Sequence, residues 1–386
     1  MSVKSRRDPI IAGISAANPS ALTGKANLQV QAEQCLAALD DAGLALRDVD
    51  AVFAHVDDRF SSLLLTEYLG IRTTMTTSTN IGGMSNLSHM AAAHEAIQSG
   101  RCEVALISYA SLQASEKTRK IGGGEEDART PRGQFTTPYG QLVPIGFYAM
   151  LAQLHMHRYG TTREHLAQVA VSARRWAQLN PEAVKRDPLT IDEVLAAPMI
   201  AEPFSARDCC LVTDGAGAIV MTTAERARDL RGRAVRLLGH AESYSHQFTP
   251  FNSADWLDYG IRTDTEKALQ MAGISRLDID VVQIYDHFTI GVILALEELG
   301  FCERGEGGSF ATPDRIGPKG SFPVNTSGGG LSYCHPGMFG MMLLIETIRQ
   351  LRGNCGERQV RDASVALCQA PGLIFSGNII CIMGRD

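Results

Sequence analysis

Hydrophobic residues occur along the chain in two patterns. Short continuous runs predict strands, and residues at intervals of three and four predict helices. Residues 10–17 form a short apolar run that predicts a strand. Residues 29–42 carry alanines and leucines at intervals of three and four, which is typical of an amphipathic helix that ends at Gly43. Residues 51–56 then predict a second strand. The alternation continues along the chain and indicates an α/β protein.

This order of elements occurs twice. The first 56 residues contain a helix, a glycine, an Asp-x-Asp turn and a strand in that order. The same series returns 230 positions later, with Gly273 matching Gly43 and Asp278 matching Asp48. Because several matches share one register, we predict a duplicated chain. We expect one half over residues 1–228, which includes a loop region at 110–205, and a second half over residues 229–386.

In each half a glycine-bearing loop precedes a helix. Residues 80–84 lead into a helix of small residues, and residues 325–337 lead into an apolar helix over residues 338–351. We expect Pro336 to open this second helix and Gly353 to end it, since proline suits a first helical turn and glycine a C-terminal exit. The unpaired amides at such helix starts favour negative charge.

The loop at residues 325–337 carries the main candidate polar side chains, Tyr333, Cys334 and His335, behind a glycine triplet. Glycine allows close backbone approach, so the loop predicts either part of a site or a tight turn before a core helix. As contacts to a substrate we name Gly83, Asn325 and Gly329.

Composition excludes several classes of function. The net charge of −6 without a basic block argues against a nucleic-acid partner, and no apolar run approaches the roughly 20 residues that span a bilayer. The short charged start shows no secretory signal. Nine cysteines without zinc-type spacing fit reduced thiols in a cytoplasm. We predict no metal site, because the histidine pairs 155/157 and 89/94 have poor chelating spacing on helices.

Further phrases carry a family likeness: Tyr-Asp-His-Phe-Thr at residues 285–289, Asp-Cys-Cys-Leu-Val-Thr-Asp-Gly at 208–215, and the loop at 325–337. With the duplicated halves, they resemble the thiolase superfamily, in particular its sterol-carrier-protein-type, lipid-transfer branch. The resemblance implies an α/β fold of five layers (αβαβα) with two mixed sheets and a tight homodimer. It also implies a site for acyl-CoA thioesters, with no cofactor except coenzyme A as part of the substrate.

The departures from the family pattern shift the expected chemistry. Gly83 stands where the resemblance places the nucleophilic cysteine, and losing a nucleophile from a catalytic unit costs on the order of 10⁴- to 10⁶-fold in rate. We therefore predict that the chain is not an efficient thiolase. His287 replaces a cysteine that acts as acid or base, and histidine suits that role. His335 is kept, and Cys368 falls on a second cysteine position, where a plain buried thiol is the alternative.

The remaining groups suit retro-aldol cleavage of a β-hydroxyacyl-CoA, which needs an enolate sink and a base but no thiolate. Tyr285, Tyr333 and His287 are the candidates for proton transfer, and Asp286 is either a catalytic carboxylate or an orienting group. Some members of the branch resemble the chain in these tyrosines and work with a small zinc-ribbon/OB-fold partner protein.

Two alternatives to retro-aldol cleavage stay open. One is acyl transfer through Cys368, Cys334 or a partner's thiol. The other is a non-catalytic acyl-CoA-binding scaffold within a complex.

Overall fold

The computed structural model describes residues 7–56, 59–119, 127–140, 144–229, 233–246 and 255–385. The strands are β1 (Pro9–Ala16), β2 (Ala51–His55), β3 (Met75–Thr77), β4 (Val104–Ser111), β5 (Met199–Ala201), β6 (Phe204–Ser205), β7 (Gly215–Thr223), β8 (Val235–Tyr244), β9 (Val281–Ile284), β10 (Val365–Pro371) and β11 (Gly377–Arg385). The helices are α1 (Asn27–Ala42), α2 (Ser62–Leu69), α3 (Ser85–Gln98), α4 (Pro131–Phe135), α5 (Ile145–Tyr159), α6 (Arg163–Gln178), α7 (Ile191–Leu195), α8 (Ile261–Ala272), α9 (Thr289–Glu298), α10 (Gly307–Phe310), α11 (Pro313–Ile316) and α12 (Gly340–Arg352).

The large sheet has the strand order β3-β2-β4-β7-β1-β8-β11-β10-β9. Both of its halves are mixed: β2 and β4 are parallel while β4 and β7 are antiparallel, and β9 and β10 are parallel while β10 and β11 are antiparallel. The two halves meet where Ile11 of β1 pairs with Val235 of β8. The two mixed sheets implied by the family resemblance are therefore present as two half-sheets that join at this edge.

The internal repeat is visible in the order of the elements. The series β1, α1, β2, α3, β4, β7 corresponds to the series β8, α8, β9, α12, β10, β11. Gly43 and Gly273 end the corresponding helices α1 and α8 in the same left-handed conformation, with φ of 70° and 69°. Glycine reaches this conformation without steric cost, which explains its place at both helix ends. The boundary between residues 228 and 229 stays a prediction.

The helices and half-sheets stack in five layers. Helices α3 and α12 lie in the middle, and their side chains share one buried cluster with the inner faces of both half-sheets. Helices α1 and α2 cover the outer face of the first half-sheet. Helices α5, α6, α8 and α9 cover that of the second. The central position of α12 explains why nearly all of its residues are buried, polar ones such as Glu346 and Gln350 included. Among the described residues, no helix combines the length and the apolar character that crossing a membrane requires.

One prediction about α12 is wrong: Pro336 does not open it. The helix begins at Gly340, and Gly337 turns the chain beforehand with φ of +86°, which a helix cannot contain. The carbonyl of Pro336 instead accepts a hydrogen bond of 2.6 Å from the Tyr109 hydroxyl. Three residues therefore separate His335 from the N-cap Phe339.

Candidate active site

The loops before α3 and α12 converge on one cavity of about 440 Å³. The ends of β4, β9 and β10 and the segment before β7 complete its walls. The described lining residues are Gly82, Gly83, Ser111, Gln113, Thr118, Arg119, Pro144, Tyr148, Cys210, Tyr285, His287, Phe288, His335, Gly337, Pro371, Gly372 and Leu373. The two glycine-bearing loops therefore face one cavity.

Gly83 lies against the ring of Tyr285. A Cβ atom at position 83 would overlap the Cε2, Cζ and Cδ2 atoms of this ring. The phenol therefore fills the space into which a side chain at position 83 would project. Glycine at this position is therefore a packing requirement.

Tyr285 and His335 form a buried pair, with 3.0 Å between the phenol oxygen and Nε2 of the imidazole. The phenol oxygen also accepts the amide hydrogen of Phe339 at 3.0 Å, and it lies 3.2 Å from the Gly337 carbonyl. Phe339 is the N-cap of α12, so one of the unpaired amides of that helix start points at the phenol oxygen.

The pair is neutral in the folded protein. Burial, then the nearby charge of Arg119, lowers the pKa of His335 to about 3. Burial raises the pKa of Tyr285 well above its usual value, and the Phe339 amide opposes this rise. A neutral imidazole beside a neutral phenol can accept the phenol proton when the phenol takes one from a ligand.

The backbone of His335 is held on both sides. Its amide donates to the Thr213 hydroxyl at 2.9 Å, and its carbonyl accepts from the side-chain amide of Gln113 at 2.7 Å. These bonds come from the segment before β7 and from the loop after β4, so three parts of the chain fix the imidazole. Such positioning keeps a catalytic group in its working geometry.

His287 lines the same cavity as a second neutral imidazole. Its Nδ1 atom is 3.1 Å from the carbonyl of Tyr285, and its ring lies 4.1 Å from the ring of Tyr148, measured between centroids. Burial lowers its pKa to about 3. Its Nε2 atom has no partner among the described residues and is therefore available to a ligand.

Asp286 points away from the cavity. Its carboxylate accepts the amide hydrogens of Gly330 at 2.6 Å and Leu331 at 3.2 Å, and it is fully buried. Burial raises its pKa to about 7, and the two amides oppose the shift. Of the two roles open to Asp286, the geometry supports the orienting one, because this side chain holds the turn that precedes His335.

Asn325 and Gly329 do not line the cavity either. The side-chain oxygen of Asn325 accepts the amide hydrogen of Ile284 at 2.7 Å, which ties the loop to the end of β9. A Cβ atom at Gly329 would collide with the Asp286 carboxylate. Both residues therefore shape the loop, and the expectation that they contact a substrate is corrected accordingly.

Tyr333 lies outside the cavity, contrary to its expected position at the reacting bond. The π-helical turn Gly329–Tyr333 carries its side chain to Glu182, whose carboxylate accepts from the phenol at 3.4 Å and from Arg349 at 2.9 Å. Burial raises the pKa of Tyr333 well above its usual value. The geometry supports a packing role for this tyrosine.

The two cysteines considered as alternative nucleophiles are core residues. Cys334 and Cys368 are both fully buried, and neither lines the cavity. Burial raises the pKa of both thiols, which disfavours the reactive thiolate. The geometry therefore supports the plain buried thiol that was the alternative for Cys368.

Sequence reasoning missed Arg119, Tyr148 and Cys210 as wall residues. Arg119 sits on the charged loop after β4, Tyr148 in α5, and Cys210 in a phrase that marks the family without indicating a role. No local pattern distinguishes them, because their convergence depends on the packing of α5 and two loops against the second half-sheet. Among the described residues, no group of three or more histidine, cysteine or acidic side chains could hold a metal ion.

Comparisons with known proteins agree with this geometry. Residues 240–385 match the thiolase C-terminal domain-like family. The chain is 31% identical to the steroid side-chain-cleaving aldolase of Thermomonospora curvata, over 97% of both chains. It is 32% identical to the 17-hydroxy-3-oxo-4-pregnene-20-carboxyl-CoA lyase of Mycobacterium tuberculosis, over 96% of this chain and 98% of that one.

Among solved structures, the Ltp2-ChsH2(DUF35) aldolase superposes with a TM-score of 0.89 at 30% identity, over 98% of both chains. Two relatives above 30% identity across nearly their whole length are sufficient to assign the family. The chain belongs to the thiolase superfamily, in its sterol-carrier-protein-type branch, and has the α/β thiolase fold.

Proposed function

We propose that this enzyme of the thiolase superfamily cleaves a C–C bond of a β-hydroxyacyl-CoA by a retro-aldol reaction. The observation that carries the proposal is the contact of Gly83 with Tyr285, because a phenol paired with His335 fills the place of the missing nucleophile. Two relatives named as an aldolase and a lyase support the same class of reaction.

The proposed reaction begins at the β-hydroxyl of the substrate. Tyr285 takes the hydroxyl proton as it passes its own proton to Nε2 of His335, which is 3.0 Å away. The carbon–oxygen bond becomes a carbonyl, the Cα–Cβ bond breaks, and its electron pair moves into the thioester as an enolate. The Tyr285–His335 pair then returns the proton to Cα. The products are a ketone or aldehyde and a shortened acyl-CoA, with no net change in protons.

His287 stays a candidate for a further contact to the substrate, and because its Nδ1 donates to the Tyr285 carbonyl, its Nε2 can only accept a hydrogen bond. It lies on the same wall as Tyr285, is neutral, and has an Nε2 atom without a partner among the described residues. We assign it a hydrogen bond to the substrate and leave the proton transfer to the Tyr285–His335 pair.

The test compares two reactions on the same preparation, with and without a partner protein. One assay follows release of the carbonyl product from β-hydroxyacyl-CoA thioesters, and the other follows thiolysis of a β-ketoacyl-CoA by free coenzyme A. We expect retro-aldol cleavage to be faster by orders of magnitude, since the nucleophile position is Gly83. Thiolysis at the greater rate would contradict the proposal.

Acyl transfer is the second candidate function, and Cys210 is the observation that favours it. Among the described residues that line the cavity it is the one thiol. Burial raises its pKa, although Arg119 opposes the rise, so the thiolate is a minor form. Intact-mass measurement after incubation with an acyl-CoA distinguishes the two functions, because acyl transfer leaves an adduct on Cys210. Tight binding of CoA esters without any turnover would indicate a scaffold instead.

We also propose that the enzyme works in a complex. The name of one structural neighbour joins two proteins, Ltp2 and ChsH2(DUF35), which supports a partner protein. That this partner is of the zinc-ribbon/OB-fold type stays a prediction. For a homodimer, the support is an apolar patch beside the edge strand β3. It consists of Leu63 and Tyr68 of α2, which are 51 and 55% exposed, and of Phe60 just before the helix, which is 62% exposed. Light scattering of the chain alone tests the homodimer, and light scattering with the partner protein tests the complex.

A cytoplasmic location stays a prediction.

A further inference from the structure

We infer that Arg119 binds the negative charge that develops on the substrate during the reaction. In this role its guanidinium holds the thioester oxygen of the acyl-CoA as that oxygen becomes an enolate. The identity of this anion rests on the retro-aldol function proposed above. The position of the positive charge does not depend on that function.

Arg119 is the one formally charged side chain among the described residues that line the cavity. The two imidazoles are neutral near pH 7, because burial lowers the pKa of both His287 and His335 to about 3. Burial also raises the pKa of the lining thiol and phenols, so these groups keep their protons. The described part of the cavity wall therefore presents a single positive charge among neutral groups.

No acidic side chain among the described residues forms a salt bridge with this charge. Two other buried or half-buried arginines do have such a partner: Arg349 pairs with Glu182 at 2.9 Å and Arg358 with Glu346 at 3.1 Å. A partly buried guanidinium without a counter-ion keeps its full attraction for an anion. This is the electrostatic state expected of a site that receives a negative group.

The charge is also in the right part of the cavity. The positive charge of Arg119 acts on the imidazole of His335 and on the thiol of Cys210. Arg119, Tyr285 and His335 all line the same cavity, in which the proposed bond cleavage takes place.

Two backbone amides at the start of α12 would also suit this task, but both already donate to tyrosine hydroxyls. The amide of Phe339 donates to the Tyr285 hydroxyl at 3.0 Å, and the amide of Met338 donates to the Tyr109 hydroxyl at 3.2 Å. These two amides therefore do not serve as an oxyanion hole in this protein. A cation that faces the cavity can supply the stabilisation that a developing enolate needs.

Binding of two coenzyme A thioethers tests the inference without turnover. Carboxymethyl-CoA carries a carboxylate in place of the enolate, and carbamoylmethyl-CoA carries a neutral amide of the same shape. We expect Arg119→Met to weaken binding of the carboxylate about 10- to 100-fold, the range for a hydrogen bond to a charged group. Binding of the amide should stay within about threefold, since no charge pair is lost.

Lys117→Met is the matched control. Lys117 is an exposed cation on the same loop and does not line the cavity. Its loss removes the same charge from the loop, so a long-range effect of net charge would appear in both variants. We expect Lys117→Met to bind both thioethers as the parent enzyme does. Equal weakening of both thioethers by Arg119→Met, or no weakening of either, would overturn the inference.

Kinetics separate failure of the inference from failure of the proposed function. With the retro-aldol substrate, Arg119→Met should lose about 10²- to 10³-fold in kcat, as when an oxyanion donor is removed. If the parent enzyme prefers the carboxylate through Arg119 but cleaves no β-hydroxyacyl-CoA, the proposed function fails and the anion site stands. If cleavage is efficient and Arg119→Met changes neither kcat nor the preference, Arg119 has no such role.

Discussion

The loops before α3 and α12 occupy corresponding places in the two halves of the chain, but they carry different chemistry. The loop before α3 presents Gly82 and Gly83 to the cavity and contributes no side chain. The loop before α12 presents His335, fixed by Thr213 and Gln113. The space left by the first loop is filled from the second half, by the ring of Tyr285. Duplication therefore built a two-sided cavity, and the proposed acid–base pair belongs to one side of it.

The strongest way to break this comparison is to remove the imidazole of the second loop. We expect His335→Gln to lower kcat for retro-aldol cleavage about 10²- to 10⁴-fold, since the phenol loses its proton acceptor at 3.0 Å. Steady-state kinetics on a β-hydroxyacyl-CoA measure the change. A variant with nearly unchanged kcat would show that His335 takes no part in proton transfer.

Placing a thiol in the loop before α3 tests the other side of the cavity. We expect Gly83→Cys to lower the free energy of unfolding by about 1–3 kcal/mol, because its Cβ overlaps the ring of Tyr285. Urea denaturation measures this change. We expect it to be relieved when Tyr285→Ala is combined with Gly83→Cys, so that the two effects are not additive. Strict additivity would mean that the two positions do not compete for space.

The pH dependence of stability sharpens the description of His335. Burial, then Arg119, places its folded-state pKa at about 3, below the ordinary value of 6.5. Between these values the unfolded chain binds the proton and the folded protein does not. The contribution of His335 to the free energy of unfolding is therefore greatest above pH 6.5. It decreases as the pH falls towards 3, by about 1.4 kcal/mol per pH unit at most.

Denaturation curves between pH 4 and pH 8 measure this contribution as the difference between the parent enzyme and His335→Gln. We expect the variant to lose less stability on acidification, because it lacks the titrating group. Parallel curves for the two proteins would contradict the lowered pKa.

The smallest effect is expected at Tyr333. Its hydroxyl makes a long bond of 3.4 Å to Glu182 and is absent from the cavity wall. We expect Tyr333→Phe to change kcat by less than about threefold and stability by about 1 kcal/mol or less. A loss of kcat as large as that of His335→Gln would show that Tyr333 takes part in catalysis.

The repeat could be predicted from the sequence because it rests on register. Gly43 and Gly273 are separated by 230 positions, as are the acidic turns that follow them. In the structure, these two glycines end the helices α1 and α8. The matching places of Gly83 and His335 in the two halves could be predicted for the same reason, since each lies shortly before one of the corresponding helices α3 and α12.

Side-chain direction in the loop before α12 could not be predicted in this way. A π-helical turn ends at Tyr333 and directs it to Glu182, while Gly337 inserts a left-handed residue ahead of the helix. Both depend on backbone angles that glycine allows but does not dictate. Arg119 could not be predicted as a cavity residue, because its loop has no periodic pattern. Its proposed role also depends on the absence of an acidic partner among the described residues, which the sequence does not show.

The measurement that tests the central proposal most directly is the rate of C–C cleavage by Tyr285→Phe. The carbonyl product and the shortened acyl-CoA are followed together from a β-hydroxyacyl-CoA, with Tyr333→Phe as the buried tyrosine outside the cavity. We predict that Tyr285→Phe loses about 10²- to 10⁴-fold in kcat while the control keeps its rate. Equal rates in Tyr285→Phe and the parent enzyme would contradict the proposal that this phenol has taken over the vacated nucleophile site.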